Sequence, residues 1–393
     1  MTVRAVTVAE RRARLATRHH LAPFTRTDDV TAIADDVVAL HSSDPVSVYL
    51  SAAARMATPS IAAVDTALYE DRSVVRLHAM RRTLWVASAG VARSAHAAAT
   101  TKLVAAERRR LVKLLEDNGV DDGGAWLDRA RADVLAALDD LGEATTREIG
   151  DALAHLRHPL ELSPGKSYGQ TVSAHTRVLL VLGFEAEVLR TRPVGTWVSG
   201  QYRWAHASSW IPGGIDGADV GEASAELARR WLRAFGPAPA SDLQWWAGWT
   251  KRDTAAALAG AGAVAVSVDG AEAWLAPDDV DAVPGVEPWV AFLPGLDPTT
   301  MGWKDRSWYI DAAHAARVFD ANGNGGPTIW VDGRIAGSWA QRPDGDIAYT
   351  LFEGVPVGRG PEVDEAAAAL ATLLGDTRIS VRFPAPIARD LLA

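Results

Sequence analysis

Apolar residues recur at helical spacing along the first 70 residues, and short polar corners separate the segments. One apolar stripe spans residues 28–40, which predicts a helix with Thr27 or Asp28 as its N-cap. Asp44-Pro45 then places a capping residue before a proline, which predicts a second helix to about Met56. Pro59-Ser60 opens a third helix, to about Tyr69. A basic helix over residues 9–20 precedes all three.

Residues 74–87 alternate β-branched and polar side chains, which predicts a β-hairpin. Three helices followed by a basic hairpin is the order of elements in a winged helix, a relative of the helix-turn-helix. The first part of the chain is therefore predicted to be a winged-helix unit.

This order recurs twice further along the chain. The second cycle has a helix over 126–141, a helix capped by Thr145 with Glu148 at capping-box spacing, a helix over 170–183, and a second wing over 184–204. The third cycle has helices over 222–235, within 235–246 and over 250–258, and short strands over 263–276. Cycles at similar distances predict tandem units rather than one large fold.

The last hundred residues follow a different pattern. From Trp289 onward, glycine-rich turns separate short apolar runs, and a helix over 361–374 and a strand over 377–383 close the chain. This pattern predicts a small β-barrel or curled sheet. We therefore predict an α+β fold with three tandem winged-helix units and a C-terminal small β-barrel. The expected boundaries are 1–120, 121–215, 216–285 and 286–393.

Composition excludes several classes of function. The chain has 393 residues and no cysteine, which rules out disulfides, thiolate zinc sites, iron–sulfur clusters and a cysteine nucleophile. No apolar run approaches the ~20 residues of a membrane-spanning helix, and the arginine-rich N-terminus has no signal-peptide pattern. We expect a cytoplasmic protein. No nucleotide-binding glycine loop is present, and the adjacent His19-His20 pair is unsuited to a metal, so no cofactor and no metal are expected.

Charge is divided unevenly along the chain. The net charge is −9, but residues 1–113 carry 17 basic and 10 acidic side chains, whereas residues 114–393 carry 23 and 39. A basic part on an acidic body can still hold a polyanion, because phosphate attraction is local in salt. The alternative is that these arginines are solvated on helix faces.

The polar corner at Leu40-His-Ser-Ser-Asp44 gathers side chains suited to activating water. His41 is predicted to end one helix, where the helix dipole favours its protonated form, and Asp44 begins the next and is placed to pair with it. The alternative is structural, with Asp44 as an N-cap and His41 as a buried histidine. Ser43 is a candidate to hold the water or to cap the helix.

Several motifs together resemble one known family. They are Leu40-His-Ser-Ser-Asp44 before a helix that ends in Arg55, Val75-Arg-Leu-His-Ala-Met-Arg-Arg-Thr83, Phe235-Gly-Pro-Ala-Pro-Ala-Ser-Asp-Leu-Gln-Trp-Trp246, Leu293-Pro-Gly-Leu-Asp-Pro298 with Asp305-Arg306, and Val331-Asp-Gly-Arg-Ile-Ala-Gly-Ser-Trp339. In this order the chain resembles the AlkZ-like (YcaQ-type) winged-helix DNA glycosylases over essentially its whole length.

The resemblance implies three winged-helix motifs and a β-barrel around a concave DNA channel. It also implies hydrolysis of the N-glycosidic bond of bulky N7-alkylated purines in base excision repair, in some relatives within interstrand crosslinks or as self-resistance to a genotoxic antibiotic. The family's usual catalytic signature at the corner is Gln, an apolar residue, then Gln or Asp. This chain has His41-Ser42-Ser43 there, followed by Asp44, and the resemblance makes His41, Ser43 and Asp44 the candidate catalytic residues.

The candidate DNA-binding residues are basic. Outward-facing arginines on a wing suit contact with phosphates or the minor groove, and the alternative is a hairpin with solvated charges. The predicted contacts are Arg55, Arg76, Arg81, Arg82, Arg190, Arg192 and Arg203. Among the 15 tryptophans, Trp245, Trp246 and Trp249 are predicted in the core, and Trp303, Trp308 and Trp339 are candidates for lining the cleft.

The expected partner is double-stranded DNA with alkylated purines, bound by a monomer away from membranes. Two other functions fit winged helices: a non-catalytic DNA-binding regulator and a protein-interaction scaffold. Salt-dependent duplex binding separates the scaffold from the other two, and release of free modified base separates the enzyme from the regulator.

Overall fold

Helices and mainly antiparallel sheets alternate along the chain in a mixed α+β fold, as predicted. The computed structural model describes residues 3–166, 169–215, 217–353 and 358–393. None of the helices in these ranges is long and apolar enough to cross a membrane.

The first winged-helix-like set follows the predicted order. Its elements are β1 (Arg4–Val6), α1 (Val8–Arg18), α2 (Val30–Asp36), β2 (Leu40–His41), α3 (Pro45–Ala53), α4 (Ile61–Asp65), β3 (Val74–His78) and β4 (Leu84–Ser88). Asp29, not Thr27 or Asp28, caps α2. The helix ends earlier than predicted, because Val38 adopts a left-handed φ of 68° and turns the chain into β2.

The second set of elements includes the long helical connection that follows the first set. Its elements are α5 (Ala89–Ala95), α6 (Thr101–Asp117), α7 (Gly123–Leu141), β5 (Ala144–Thr145), α8 (Thr146–Ala152), β6 (Pro159–Leu162), β7 (Gln170–Ser173), α9 (Ala174–Phe184), β8 (Val188–Pro193), β9 (Tyr202–His206) and α10 (Ala207–Trp210). The capping box of Thr145 and Glu148 is confirmed at the start of α8. The predicted helix over 170–183 begins only at Ala174, because the four residues before it pair with β6.

The third set repeats the order, and the N-terminal strand joins it. Its elements are α11 (Val220–Phe235), α12 (Ala240–Ala247), α13 (Lys251–Gly260), β10 (Val264–Val268) and β11 (Ala271–Leu275). An isolated bridge joins Ala238 to Trp274, and β1 pairs in parallel with β10. The N-terminal strand therefore belongs to the sheet of the third set and not to that of the first.

The C-terminal part contains a four-stranded antiparallel sheet. Its elements are β12 (Val290–Leu293), α14 (Pro298–Met301), α15 (Ala312–Val318), β13 (Thr328–Val331), β14 (Arg334–Gln341), β15 (Ile347–Leu351), α16 (Gly360–Leu374) and α17 (Ala388–Leu392). Within the described residues the strand order is β12-β13-β14-β15, with two open edges, so the predicted barrel is not confirmed. The strand predicted over 377–383 is wrong, since this segment is irregular.

The wings of the first two sets merge into one six-stranded sheet with the order β2-β4-β3-β8-β9-β5. The joint lies between β3 and β8, where Arg76 pairs with Arg190. The first two sets are therefore fixed to each other by main-chain pairing.

One large hydrophobic core contains side chains from the first set, the third set and the C-terminal part. Trp246 and Trp249 lie in it as predicted, whereas Trp245 is half-buried. The cleft prediction for Trp303, Trp308 and Trp339 is wrong, since all three are buried. Large aromatic side chains are favoured in cores because of the apolar area they bury.

Candidate active site

The corner at residues 40–44 is a tight link between a strand and a helix. His41 pairs with Trp85 of β4, and the Ser42 N–H donates to the Leu84 carbonyl at 2.8 Å. Three residues after His41, Asp44 caps α3, with Pro45 at the first helical position. Sheet pairing on one side and the cap on the other hold the corner rigidly.

His41 is buried and uncharged. Its side chain is 4 % exposed, and its ring lies 4.6 Å from that of Trp85. Burial, together with the positive charge of Arg81, lowers the pKa of His41 to about 3. The prediction of a protonated histidine at a helix end is wrong, because His41 lies on a strand in an apolar environment.

The hydrogen bonding of His41 defines its tautomer. The Ser43 N–H donates to Nδ1 at 3.3 Å, which assigns the ring proton to Nε2. No described residue hydrogen-bonds Nε2, and the Ser43 hydroxyl also has no partner in the described ranges. The imidazole therefore offers one N–H donor to a water or a ligand.

Asp44 acts as the predicted N-cap. Its Oδ1 accepts from the Val46 N–H at 3.2 Å, and its Oδ2 accepts from the Arg382 N–H at 2.8 Å. Burial raises the pKa of this carboxyl despite those two donors. The expected pairing with His41 is not formed, because main-chain amides occupy both oxygens.

Ser42 also takes part in the corner, although it is not among the residues predicted from sequence. Its Oγ accepts from the Nε of Arg76 at 2.7 Å. The Arg76 side chain also donates to the Tyr69 hydroxyl at 3.1 Å and packs on the ring of Tyr202 at 4.3 Å. Arg76 is only 2 % exposed, so it supports the corner from behind instead of standing on an open wing.

A second residue missed in the sequence is Arg382. Besides the main-chain contact with Asp44, its Nη1 donates to the Ser43 carbonyl at 3.3 Å. A Cβ atom on Gly200 would clash with its guanidinium, so the loop between β8 and β9 approaches this side chain closely. Nothing in the local sequence near Arg382 signals these contacts, because the corner lies more than 300 residues away.

Arg55 does not lie on a DNA-facing surface. Its side chain is fully buried, and it donates to both oxygens of Asp297 at 2.8 Å and to Thr299. The prediction of a direct DNA contact for Arg55 is therefore corrected, since a fully buried and paired guanidinium cannot reach a phosphate.

The remaining predicted arginines fall into two groups. Arg82, Arg192 and Arg203 pair with Glu107, Glu70 and Glu148. Arg81 and Arg190 pair with no carboxylate in the described part of the chain. Arg81 stacks on Trp245 at 4.1 Å, and Arg190 packs over Trp204 at 4.9 Å.

A cavity of about 740 Å³ lies beside the second wing. Its lining includes Arg190, Gly200, Tyr202 and Arg203. Gly200 also contacts Arg382, which bonds to the corner. Gly200 therefore lies between the cavity and the Arg382 side chain that bonds to the corner.

Hairpins that carry arginines beside a polar corner are compatible with a protein that binds nucleic acid. A family model described as DNA glycosylase AlkZ-like matches residues 34–375. The chain thus belongs to the AlkZ-like DNA glycosylase family, and it is a DNA glycosylase, an enzyme of DNA repair. The match decides between the functions considered from sequence, in favour of the enzyme.

The fold has a counterpart among solved structures. The Streptomyces sahachiroi DNA glycosylase AlkZ superposes with a TM-score of 0.73 at 20 % sequence identity, over 96 % of this chain and 99 % of that one. At this identity the likeness establishes the fold. A search of curated proteins gives no match.

Proposed function

We propose that this protein hydrolyses the N-glycosidic bond of bulky N7-alkylated purines in double-stranded DNA, and that the His41 corner holds the attacking water. The observation that carries the proposal is the state of His41. Its Nδ1 is engaged by the Ser43 amide, its ring is neutral, and its Nε2–H has no partner among the described residues.

The reaction needs little acid catalysis, because an N7-alkylated purine is already a cationic leaving group. As the bond from C1′ to the base breaks, its electron pair neutralises the purine and the sugar becomes oxocarbenium-like. Water then forms the new C1′–O bond and releases a proton to solvent. A neutral histidine fits this reaction, since an imidazolium would repel both the cationic base and the developing sugar cation.

The three corner residues have separate roles in this proposal. His41 donates through Nε2 to the water and orients it, and Ser43 offers a second hydroxyl contact. Asp44 is a positioning residue with negative charge near the sugar. Its hydrogen bonds to Val46 and Arg382 set the geometry of the corner.

We also infer three winged-helix units from the element order. Each set has a helix, a short strand or bridge, two further helices and a hairpin. We place the N-terminal strand and helix with the third unit, because β1 pairs with β10 and Arg14 pairs with Asp279. The C-terminal sheet completes a channel for DNA in this arrangement.

The test is base release from a duplex with one N7-methylguanine. His41→Ala should abolish release and leave duplex affinity within a few-fold, since the side chain is buried at the corner. His41→Gln restores an N–H donor and the residue usual in the resembled family, and it should retain release if His41 positions water. His155→Ala, at an exposed histidine of the second set, is the matched control and should behave as wild type.

Unchanged release by His41→Ala would show that the corner is structural. Loss of release in both His41 variants with normal duplex binding would support a base role over positioning. A panel of N7-guanine adducts, from methyl to intercalator-sized groups and interstrand crosslinks, tests the preference for bulky lesions, which the resemblance supports.

A further inference from the structure

The side chains of three arginines, Arg76, Arg190 and Arg382, lie close enough to Tyr202 for their charges to act on its hydroxyl. Arg76 packs on the Tyr202 ring. Arg190 lies opposite Arg76 where β3 pairs with β8, and the Arg382 guanidinium lies against Gly200, two residues before Tyr202. In the described ranges none of the three forms an ion pair with a carboxylate. By contrast, Arg192 on the same strand as Arg190 pairs with Glu70. Like charges gathered in this way repel one another unless an anion lies among them.

The same cluster contains buried polar atoms that lack partners. They are the Nη2 of Arg76, the Nε of Arg190 and the hydroxyl of Tyr202. Arg76 and Tyr202 are 2 % and 7 % exposed. Buried donors are normally satisfied, and leaving one without an acceptor is costly. An acceptor that carries negative charge and several oxygens would satisfy these atoms.

The cluster is joined directly to the catalytic corner. Arg76 donates to the Ser42 hydroxyl at 2.7 Å, and Arg382 donates to the Ser43 carbonyl at 3.3 Å. The cavity of about 740 Å³ has Arg190 and Tyr202 in its lining, so an anion can reach them from solvent. An anion held there lies next to the residues that flank His41.

We propose that Arg190, Arg382 and Tyr202, backed by Arg76, bind one backbone phosphate adjacent to the damaged nucleotide and so place its sugar at His41. The inference rests on the proposed function, since it names the part of the substrate that this side of the site holds. Arginine is suited to phosphate because its planar donors match two oxygens at once. Phosphate contacts of this kind set register and carry no sequence preference.

The experiment uses the full chain and a duplex with a stable tetrahydrofuran abasic site. Each phosphate near that site is replaced in turn by a neutral methylphosphonate. The wild-type protein should bind the duplex more weakly when the phosphate at one particular position is neutralised. Arg382→Gln and Arg190→Gln should bind the unmodified duplex more weakly and lose nothing further at that position. For each variant the slope of log affinity against log salt should fall by about 0.9, the value for one lost phosphate contact.

Matched variants separate the site from general charge. Arg389→Gln removes an exposed arginine from the same C-terminal part and should keep the wild-type response to the methylphosphonate. Arg382→Lys should restore most of the salt slope. Gly200→Ala keeps every charge but displaces the Arg382 guanidinium, and it should reproduce the Arg382→Gln result. Thermal melting checks that each variant is folded.

A response to the methylphosphonate that is the same in Arg382→Gln, Arg190→Gln and wild type would overturn the proposal. If the cluster binds only free phosphate and not the DNA backbone, neutralising any one phosphate of the duplex will have the same effect on affinity. That result would also overturn the proposal. Base release from N7-methylguanine DNA is measured in parallel. If the protein releases no base but still loses affinity at one neutralised phosphate, the proposed function is rejected and the phosphate site is supported.

Discussion

Arg55 and Asp297 form a fully buried ion pair between the end of α3 and the start of α14. The carboxylate also accepts from the Ser51 hydroxyl at 2.6 Å and from the Thr299 amide at 2.8 Å. Burial opposes ionisation of Asp297, but the Arg55 guanidinium and these donors hold its pKa below the usual range. The pair thus fixes α3, the helix capped by Asp44, to the C-terminal part.

Arg55→Ala should destabilise the protein strongly, because it leaves the Asp297 charge buried without its partner. The expected loss is about 3–5 kcal/mol in the free energy of unfolding, measured by urea denaturation. Arg192→Ala breaks an exposed pair and should cost no more than about 1 kcal/mol. Equal midpoints for the two variants would contradict the structural role of Arg55.

The role of a single residue can be predicted from sequence where its interaction partners are close neighbours in the chain. Asp44 before Pro45 and Thr145 before Glu148 were recognised as caps because their partners lie within three residues. The partner of Arg55 is 242 residues away, and Arg382 is as remote from the corner. No local pattern separates an arginine that pairs inside the fold from one that faces DNA.

At the scale of elements, α3 depends on its cap. Asp44→Ala removes the side-chain acceptor for two main-chain amides and should cost about 1–2 kcal/mol, since the hydrogen bond to Val46 is buried and the one to Arg382 is partly buried. Asp44→Asn keeps one amide oxygen and should cost less. Urea unfolding of the two variants gives the comparison.

The same pair of variants tests how Asp44 serves the reaction. A positioning role predicts that base release by Asp44→Asn stays within about tenfold of wild type, while Asp44→Ala loses more. Complete loss of release in a stable Asp44→Asn protein would instead make the carboxylate charge essential to chemistry.

Element boundaries failed where tertiary pairing overrides local preference. The apolar stripe of α2 continues to Leu40 in the sequence, but β2 must reach β4, and Val38 takes a left-handed conformation to allow it. Residues 170–173 suit a helix by pattern but pair with β6. The segment 377–383 has strand composition, yet it lies against the corner through Arg382 and joins no sheet.

At the scale of the whole molecule, three buried histidines make folding sensitive to acid. Burial lowers the pKa of His19, His41 and His78 to about 3. An unfolded chain protonates them near pH 6.5, so below that pH the unfolded state binds more protons and stability falls as pH falls. Asp242 opposes this, because its pKa is raised to about 6 and the folded state gains one proton there.

The free energy of unfolding should therefore fall as the pH falls from 6 to 4, by about 1.4 kcal/mol per pH unit for each net proton that the unfolded chain binds in excess. Urea denaturation across this range measures it. His78→Asn should reduce the slope by about 1.4 kcal/mol per pH unit, and the exposed His155→Asn should not. A stability that is flat from pH 7 to pH 4 would contradict the three neutral histidines.

The contact between Arg382 and Asp44 has a consequence for biosynthesis. During translation His41 leaves the ribosome early, within the first tenth or so of the chain, yet the amide that completes the carboxylate's hydrogen bonding arrives with residue 382. In a partly synthesised chain, His41 is present but the Arg382 amide that bonds to Asp44 is not. The hydrogen bonding of the corner that we propose as the active site is therefore completed only after residue 382 has been synthesised.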